Sequence, residues 1–363
     1  MCSKWCFCVL AATAVSAQTP NGHIDIPKDA PVSMVSVDWG GSRATARGSA
    51  YLVDVHASLT LLNSSQKHIR GVTLEVLAQE VTPGGRGAVK VPSLDVAPRD
   101  VFSVHIDETL LSPLGGGATP IVEVRLDGIL FDDLTFYGPD KLNSQREMTV
   151  WEMEARRDRK YFRTLLESAG RDGLQKAMLA SLTRQSETPR TGMLQVVRGR
   201  ATNVDPEREV QFAFLRMADE PIEPAAGMAR VAANEAWAPR FEVRNISKRP
   251  VRHVEIGWIV KDQNGNQFLA ASLPADLNLA PGQDARVFPD AAIKFPDRIS
   301  IQSMSGFVSS VQFGDGSYWI PSRSSMEEPE LRDVASPSPE EQRLARIYQK
   351  KGMDALIQEL KKF

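Results

Sequence analysis

Five histidines, His23, His56, His68, His105 and His253, are the residues of this 363-residue chain best suited to proton transfer or metal binding. None stands at metal-ligand spacing from another, and no His-Glu-x-x-His occurs. General acid–base work needs a partner within hydrogen-bond reach, and the spacing points to none. His68 and His253 flank polar turns and read as solvated. There is no Gly-x-Ser-x-Gly elbow and no phosphate-cradling glycine loop; Gly115-Gly-Gly117 reads as a connector. Asp132-Asp133 and Asp315-x-Ser317 carry carboxylates of the kind a calcium ion wants, but at no loop-signature spacing. Turn chemistry accounts for them. The expectation is no catalytic residue, no cofactor and no metal.

The remaining chemistry is that of contact. Trp258 alternates with Val254, Ile256 and Val260 and reads as core. Trp319 and Tyr137 close their β regions and are expected against helices. Trp39 and Trp237 lie at strand ends and are the candidates for an exposed ligand contact, a sugar or peptide platform. The run Arg156-Arg157-Asp-Arg159-Lys160 lies off the apolar face of its helix and reads as a solvated surface. Net charge is −2, so nucleic acid is not expected as a partner. Cys2, Cys6 and Cys8 are the three cysteines, which excludes a thiol nucleophile or internal disulfide in the rest of the chain.

The elements around these residues are organised by a stretch that occurs twice. Leu59-Thr-Leu-Leu-Asn63-Ser-Ser65 leads through a polar turn to Ile69-Arg70-Gly-Val72-Thr-Leu74. Phe241-Glu-Val-Arg-Asn245-Ile-Ser247 leads likewise to Val251-Arg252-His-Val254-Glu-Ile256, 182 residues on. That offset over so much of the chain reads as a tandem duplication. In both copies an alternating apolar run enters the turn and another leaves it, as in half-buried strands. Asn-x-Ser suits the turn, because both side chains can bond nearby backbone. The same triplets are glycosylation sequons, a weaker reading that requires a eukaryotic secretory route.

Taken in order, residues 1–17 read as a secretory signal: Lys4, an apolar run from Trp5 to Val15, and small residues before cleavage after Ala17. The run is too short to span a bilayer, and no later segment is apolar enough. Residues 18–31 are a polar lead-in. About seven short strands in roughly 110 residues make 32–139 a β-sandwich. Asp127-Gly128 is expected as a tight hairpin turn. A helical hairpin follows over 140–185, opened by the capping box Ser144-Gln-Arg-Glu147 and broken at Gly170. Residues 186–192 are a linker, and 193–321 a second sandwich whose closing hairpin turns at Ser305-Gly306. Residues 322–338 are Pro/Ser/Glu-rich and read as a mobile linker. Ser338-Pro-Glu-Glu341 starts a second helical hairpin over 339–363.

Asn245-Ile-Ser-Lys-Arg-Pro-Val251, Asn264-Gly265 and Leu279-Ala-Pro-Gly282 resemble bacterial extracellular immunoglobulin-like modules, in particular fibronectin-III-like or FxLYD-type sandwiches. The resemblance covers 32–139 and 193–321. It implies an adhesion, spacer or ligand-binding module and supplies no catalytic residues. The fold expected is mainly β with α: two tandem immunoglobulin-like β-sandwiches, each followed by a short α-helical hairpin. The function expected is a secreted or periplasmic, non-catalytic binding or scaffolding protein with a protein or envelope-component partner. The alternatives are a carbohydrate-binding accessory module, presenting Trp39 or Trp237, and an enzyme with a site between the repeats.

Overall fold

Strand accounts for 47% of the chain and helix for 24%, so the fold is mainly β with α. The structure, a computed structural model, describes residues 20–80, 83–113, 121–187, 195–198, 207–288, 291–294 and 300–363. The leader over 1–17, the glycine connector and most of the 186–192 linker lie outside the described residues. The chain divides into two compact units, Met1–Glu152 and Met153–Phe363.

The first unit contains β1 (Asn21–Asp25), β2 (Val32–Asp38), β3 (Arg43–Arg47), β4 (Ala50–Asn63), β5 (Ile69–Leu77), β6 (Arg86–Val91), β7 (Val101–Pro113), β8 (Ile121–Phe131) and β9 (Phe136–Tyr137). In one sheet β2 and β3 pair β4, and β7 pairs β4 over thirteen positions from Ala50 to Leu62. In the other, the order is β1-β8-β5-β6, with β9 on β8. Alternation decides what is buried. Val53, Val55, Leu59 and Leu61 of β4 share one core with Val72, Leu74 and Val76 of β5. The polar lead-in contributes β1, which pairs parallel to β8. Its side chains are mostly exposed, so no apolar alternation marked it.

Helix α1 (Ser144–Glu187) begins in the first unit and continues into the second. Ser144 is fully buried and donates to Asp127 Oδ2 at 2.9 Å, while Asp140 Oδ1 accepts the Gln145 N–H at 2.9 Å. Glu147 does not complete the expected capping box, because Lys90 takes its carboxylate.

The second unit adds β10 (Gln195–Arg198), β11 (Arg208–Phe214), β12 (Ile222–Pro224), β13 (Gly227–Ala232), β14 (Glu235–Asn245), β15 (Val251–Asp262), β16 (Gln267–Leu279), β17 (Asp284–Val287), β18 (Ala291–Lys294), β19 (Ile301–Phe313) and β20 (Tyr318–Trp319). Among the described residues these join in one eleven-stranded network. Its core gathers Trp258, fully buried, edge-on to Phe212 and Phe241 at 4.9 and 5.9 Å. Three helices follow: α2 (Arg323–Met326), α3 (Pro329–Arg332) and α4 (Pro339–Leu360). No helix described is long and apolar enough to cross a membrane.

Three expectations change. Asp127-Gly128 and Ser305-Gly306 are not turns; β8 and β19 run straight through them. Each glycine lies under an aromatic ring: a Cβ on Gly128 would sit 2.0 Å from Phe136, and one on Gly306 2.5 Å from Phe214. The glycines are there for close approach within a strand rather than for a reversal. Residues 322–338 carry α2 and α3, with Leu331 and Val334 buried against Ile259 and Phe307. A few apolar anchors in a polar segment are enough to dock it, and composition averages them away.

The helices of the second unit pack on one another. Phe162, Leu174 and Met178 of α1 share a buried cluster with Leu344, Leu356 and Leu360 of α4. These positions correspond pairwise at the 182-residue offset. Both helices break at the matching glycine, Gly170 (φ 67°) and Gly352 (φ 82°), a region open essentially to glycine.

Candidate functional site

The two polar turns are built alike. Asn63 is fully buried; its amide donates to Lys67 O at 2.9 Å and to Val96 O at 3.1 Å. Its carbonyl accepts the Ser65 N–H at 3.0 Å and the Ser65 hydroxyl at 2.7 Å. Asn245, also fully buried, donates to Arg249 O at 2.9 Å and Leu279 O at 3.1 Å. It accepts from Ser247 at the same 3.0 and 2.7 Å. With both amide protons used and no surface exposed, neither asparagine presents a sequon to solvent. The turn reading accounts for both triplets.

The paired aspartates are turn builders too. Asp133 Oδ1 accepts the Thr135 N–H at 3.0 Å and Asp315 Oδ1 the Ser317 N–H at 2.9 Å. The Lys67 ammonium, 2.6 Å away, and the Thr135 hydroxyl hold Asp133 down to about 2. Among the described residues no three His, Cys, Asp or Glu side chains gather closely enough to hold a metal.

Trp39 is half-buried, packed at the first core's edge with its ring over Gly22, where a Cβ would lie 1.9 Å away. Trp237 is half-buried in β14, opposite Arg230 and Ala292. His56 is exposed beside Asp107 at 2.6 Å, and His68 stands 3.3 Å from Asp95. His253 departs from expectation: it is 1% exposed, with Nδ1 2.7 Å from Asp276 and Nε2 3.8 Å from Glu255. Both pairings of β15 slip between Val251 and His253. The place of His253 beside the polar turn, from which exposure was read, is therefore overridden by a slip that buries it together with Val254.

Buried charge is concentrated in the helical layer of the second unit. Asp158, fully buried, accepts from Arg157 at 3.0 Å, from Arg323 at 3.3 Å and from the Ser338 hydroxyl at 2.5 Å. Ser338 in turn accepts the Glu341 N–H at 3.1 Å as the N-cap of α4. Glu341, 1% exposed, bridges Arg184 and Arg323. Glu340, fully buried, takes Arg159 at 3.3 Å and Arg343 at 2.8 Å. Burial works against the Arg323 charge, but Glu341, Asp158 and Glu327 outweigh it and hold its guanidinium above the ordinary range. The run 156–160 is therefore only in part a solvated face, since Asp158 and Arg159 are interior. The offset carried one signal of this: it sets Asp158-Arg159 against Glu340-Glu341, so that Glu341 is an acid where the first copy has the base Arg159.

This network walls an open cavity of about 590 Å³. Tyr161, Phe162, Ala177 and Ala180 of α1 form its apolar side, Arg184 and Arg323 its inner polar side, and Glu327, Arg332 and Asp333 its rim. The Arg323 guanidinium lies over the Tyr161 ring at 4.9 Å. None of the residues singled out from the sequence as contacts lines it. The lining residues sit in helix interiors and in the supposed linker, where only tertiary packing converges them.

Glu154, half-buried one turn before Asp158, is pushed up to about 7 by burial, with Asp158 and Glu255 adding to the rise and Arg157 opposing it. The unfolded chain ionises this group near 4.5, so between there and about 7 the folded state holds a proton that the unfolded state has lost. Stability must fall as pH rises through that window. Glu154→Gln is expected to be more stable than the parent at pH 8 by on the order of 2 kcal/mol, and equal to it at pH 4. Urea titrations at the two pH values measure this; equal midpoints at pH 8 would refute it.

No family model and no curated protein matches the chain. Among solved structures, red sea bream transglutaminase is similar at 12% identity and TM-score 0.14, covering 78% of this chain and 29% of that one. A β-glucosidase from Kluyveromyces marxianus is similar at 9% identity and TM-score 0.16, covering 72% and 45%. This chain thus spans less than half the length of either, and likenesses at such scores carry no argument about fold or activity.

Proposed function

We propose that the chain is an exported, non-catalytic binding protein of the cell envelope or exterior. In this reading it is a duplicated unit of immunoglobulin-like sandwich plus helical hairpin. The matching Asn63 and Asn245 turns and the matching residues of the α1–α4 core support the duplication. The observation that carries the function is the buried ion-pair network beside the open cavity. It holds the guanidiniums and carboxylates of the wall in place before any ligand arrives, which lowers the ordering cost of binding. Guanidiniums stay protonated at all working pH values and so cannot exchange protons with a substrate. The arginine side of the wall is suited to holding rather than to reacting.

Native mass spectrometry of the chain from Gln18, incubated with envelope extract and desalted, tests the reading. A retained ligand or partner mass that is absent from Ala180→Trp, which fills the cavity mouth, is the expected result. No retained mass, or turnover of acyl, glycosyl or phosphoryl reporters that Ala180→Trp abolishes, overturns it.

A further inference from the structure

We infer that the helical-layer cavity takes a monocarboxylate carrying one compact apolar group. An N-acylated amino acid with an aromatic side chain, or the carboxyl end of a peptide, has this chemistry. The inference rests on the reading of this layer as a binding site and names what it binds.

Charge selects the class. Three arginines and two carboxylates line the cavity. The inner guanidiniums are already engaged, Arg184 and Arg323 by Glu341, and Arg323 also by Asp158 and Glu327. Arg332 differs. Its Nε bonds Asp333 Oδ1 at 3.2 Å, which leaves the paired Nη groups, on a side chain 47% exposed, without a partner among the described residues. A planar guanidinium edge of this kind matches a carboxylate bidentately. A dianion such as a phosphate monoester would bring a second negative charge toward Glu327 and Asp333, which a monoanion does not.

Shape selects the rest. Ala177 and Ala180 lie three residues apart on α1, and so on one helix face. They present a low apolar edge at the mouth, Ala180 exposed and Ala177 half-buried, and the Tyr161 and Phe162 rings line the same cavity. About 590 Å³ lies within the range of small-molecule sites and is ample for one aromatic side chain plus its carboxylate.

Isothermal titration of the full chain with N-acetyl-L-phenylalanine tests this, with N-acetyl-L-phenylalaninamide and phenyl phosphate as comparison ligands. The acid is expected to bind saturably at one site, roughly tenfold or more tighter than the neutral amide, because a charge-assisted hydrogen bond is lost with the carboxylate. It is also expected to bind tighter than the phosphate. Arg332→Gln, at an exposed residue, is expected to erase the preference for acid over amide while circular dichroism stays unchanged. Ala180→Trp is expected to abolish binding. Equal affinity for acid and amide, tighter binding of the phosphate, or binding that survives Ala180→Trp overturns the inference. If the extract experiment yields a retained mass while the acid shows no saturable binding, the ligand class falls and the binding reading stands. If both fail, both fall.

Discussion

Replacing Asp158 by alanine is expected to destabilise the second unit by about 3–5 kcal/mol, the usual consequence of removing one partner from a buried ion-pair network. The carboxylate is fully buried, and three donors converge on it: Arg157, Arg323 and the Ser338 hydroxyl. Its loss leaves buried positive charge at Arg323, which is 15% exposed and has Glu341 and Glu327 as its remaining acids. It also frees the hydroxyl that caps α4, so the helix start loosens at the same time. Glu327→Gln is the control. Glu327 also pairs Arg323, at 2.9 Å, but is 40% exposed, and a pair that water can screen is worth about 1 kcal/mol or less. Urea unfolding followed by circular dichroism measures both variants. An Asp158→Ala midpoint no lower than that of Glu327→Gln would mean that the network is not what holds α1, α2 and α4 together.

The second large effect is expected at the paired turns. Asn245→Ala should cost about 3 kcal/mol, because it strands Arg249 O and Leu279 O and the Ser247 N–H around an empty, buried site. Asn245→Asp should be no better. Aspartate keeps the oxygen that Ser247 needs but turns a second oxygen toward two carbonyls where the amide donated. Ser247→Ala should cost about 1 kcal/mol, since it removes one hydroxyl from a half-buried position and leaves the amide bonds intact. The order predicted for Asn63 and Ser65 is the same, because their hydrogen bonds match to within 0.2 Å at every shared contact. Chemical denaturation of the six variants measures this. A well-tolerated aspartate would show that the turn needs only an acceptor, and the donor half of the account would be wrong.

The buried turns show what local pattern reaches. Asn-x-Ser between alternating apolar runs was legible because every partner of the asparagine side chain except the carbonyls across the turn lies within four residues of it. The Asp262-Gln-Asn-Gly265 turn was legible for the same reason. There Asp262 Oδ1 accepts the Asn264 and Asn266 N–H groups at 2.8 Å, and Gly265 takes φ 84°. Ser338 as an N-cap with Pro339 behind it is likewise a matter of one helical turn. The core faces of β4 and β5 followed from period two, which any strand with one face covered must obey.

The misreadings have a common cause: each depends on what lies opposite in space. Asp-Gly and Ser-Gly signal a reversal unless a ring from another strand needs the vacancy, as Phe136 and Phe214 do. A histidine beside a turn is solvated unless a slip in pairing carries it under cover, as happens to His253. Charged residues off an apolar helix stripe face water unless a second helix brings opposite charge, as Glu340 does to Arg159. The candidate cavity shows this most fully. Its arginines come from three helices and its rim from a stretch whose composition resembles a linker.

By itself, then, the sequence determined the β-rich class, the 182-residue correspondence, the two asparagine turns and the core-facing half of each long strand. All of these rest on interactions that repeat at a short period or close within a few residues. Only the tertiary structure decided that the two helical hairpins bury their apolar faces in each other, and that α2 and α3 dock on β15 and β19 of the second unit. It alone brought Asp158, Arg184, Arg323 and Glu341 together around a cavity. The pairs that join α1 to α2 and α4, Asp158 with Arg323 and Arg184 with Glu341, lie 165 and 157 positions apart, and the pairing of charge across such a separation leaves no periodic trace in either partner's neighbourhood.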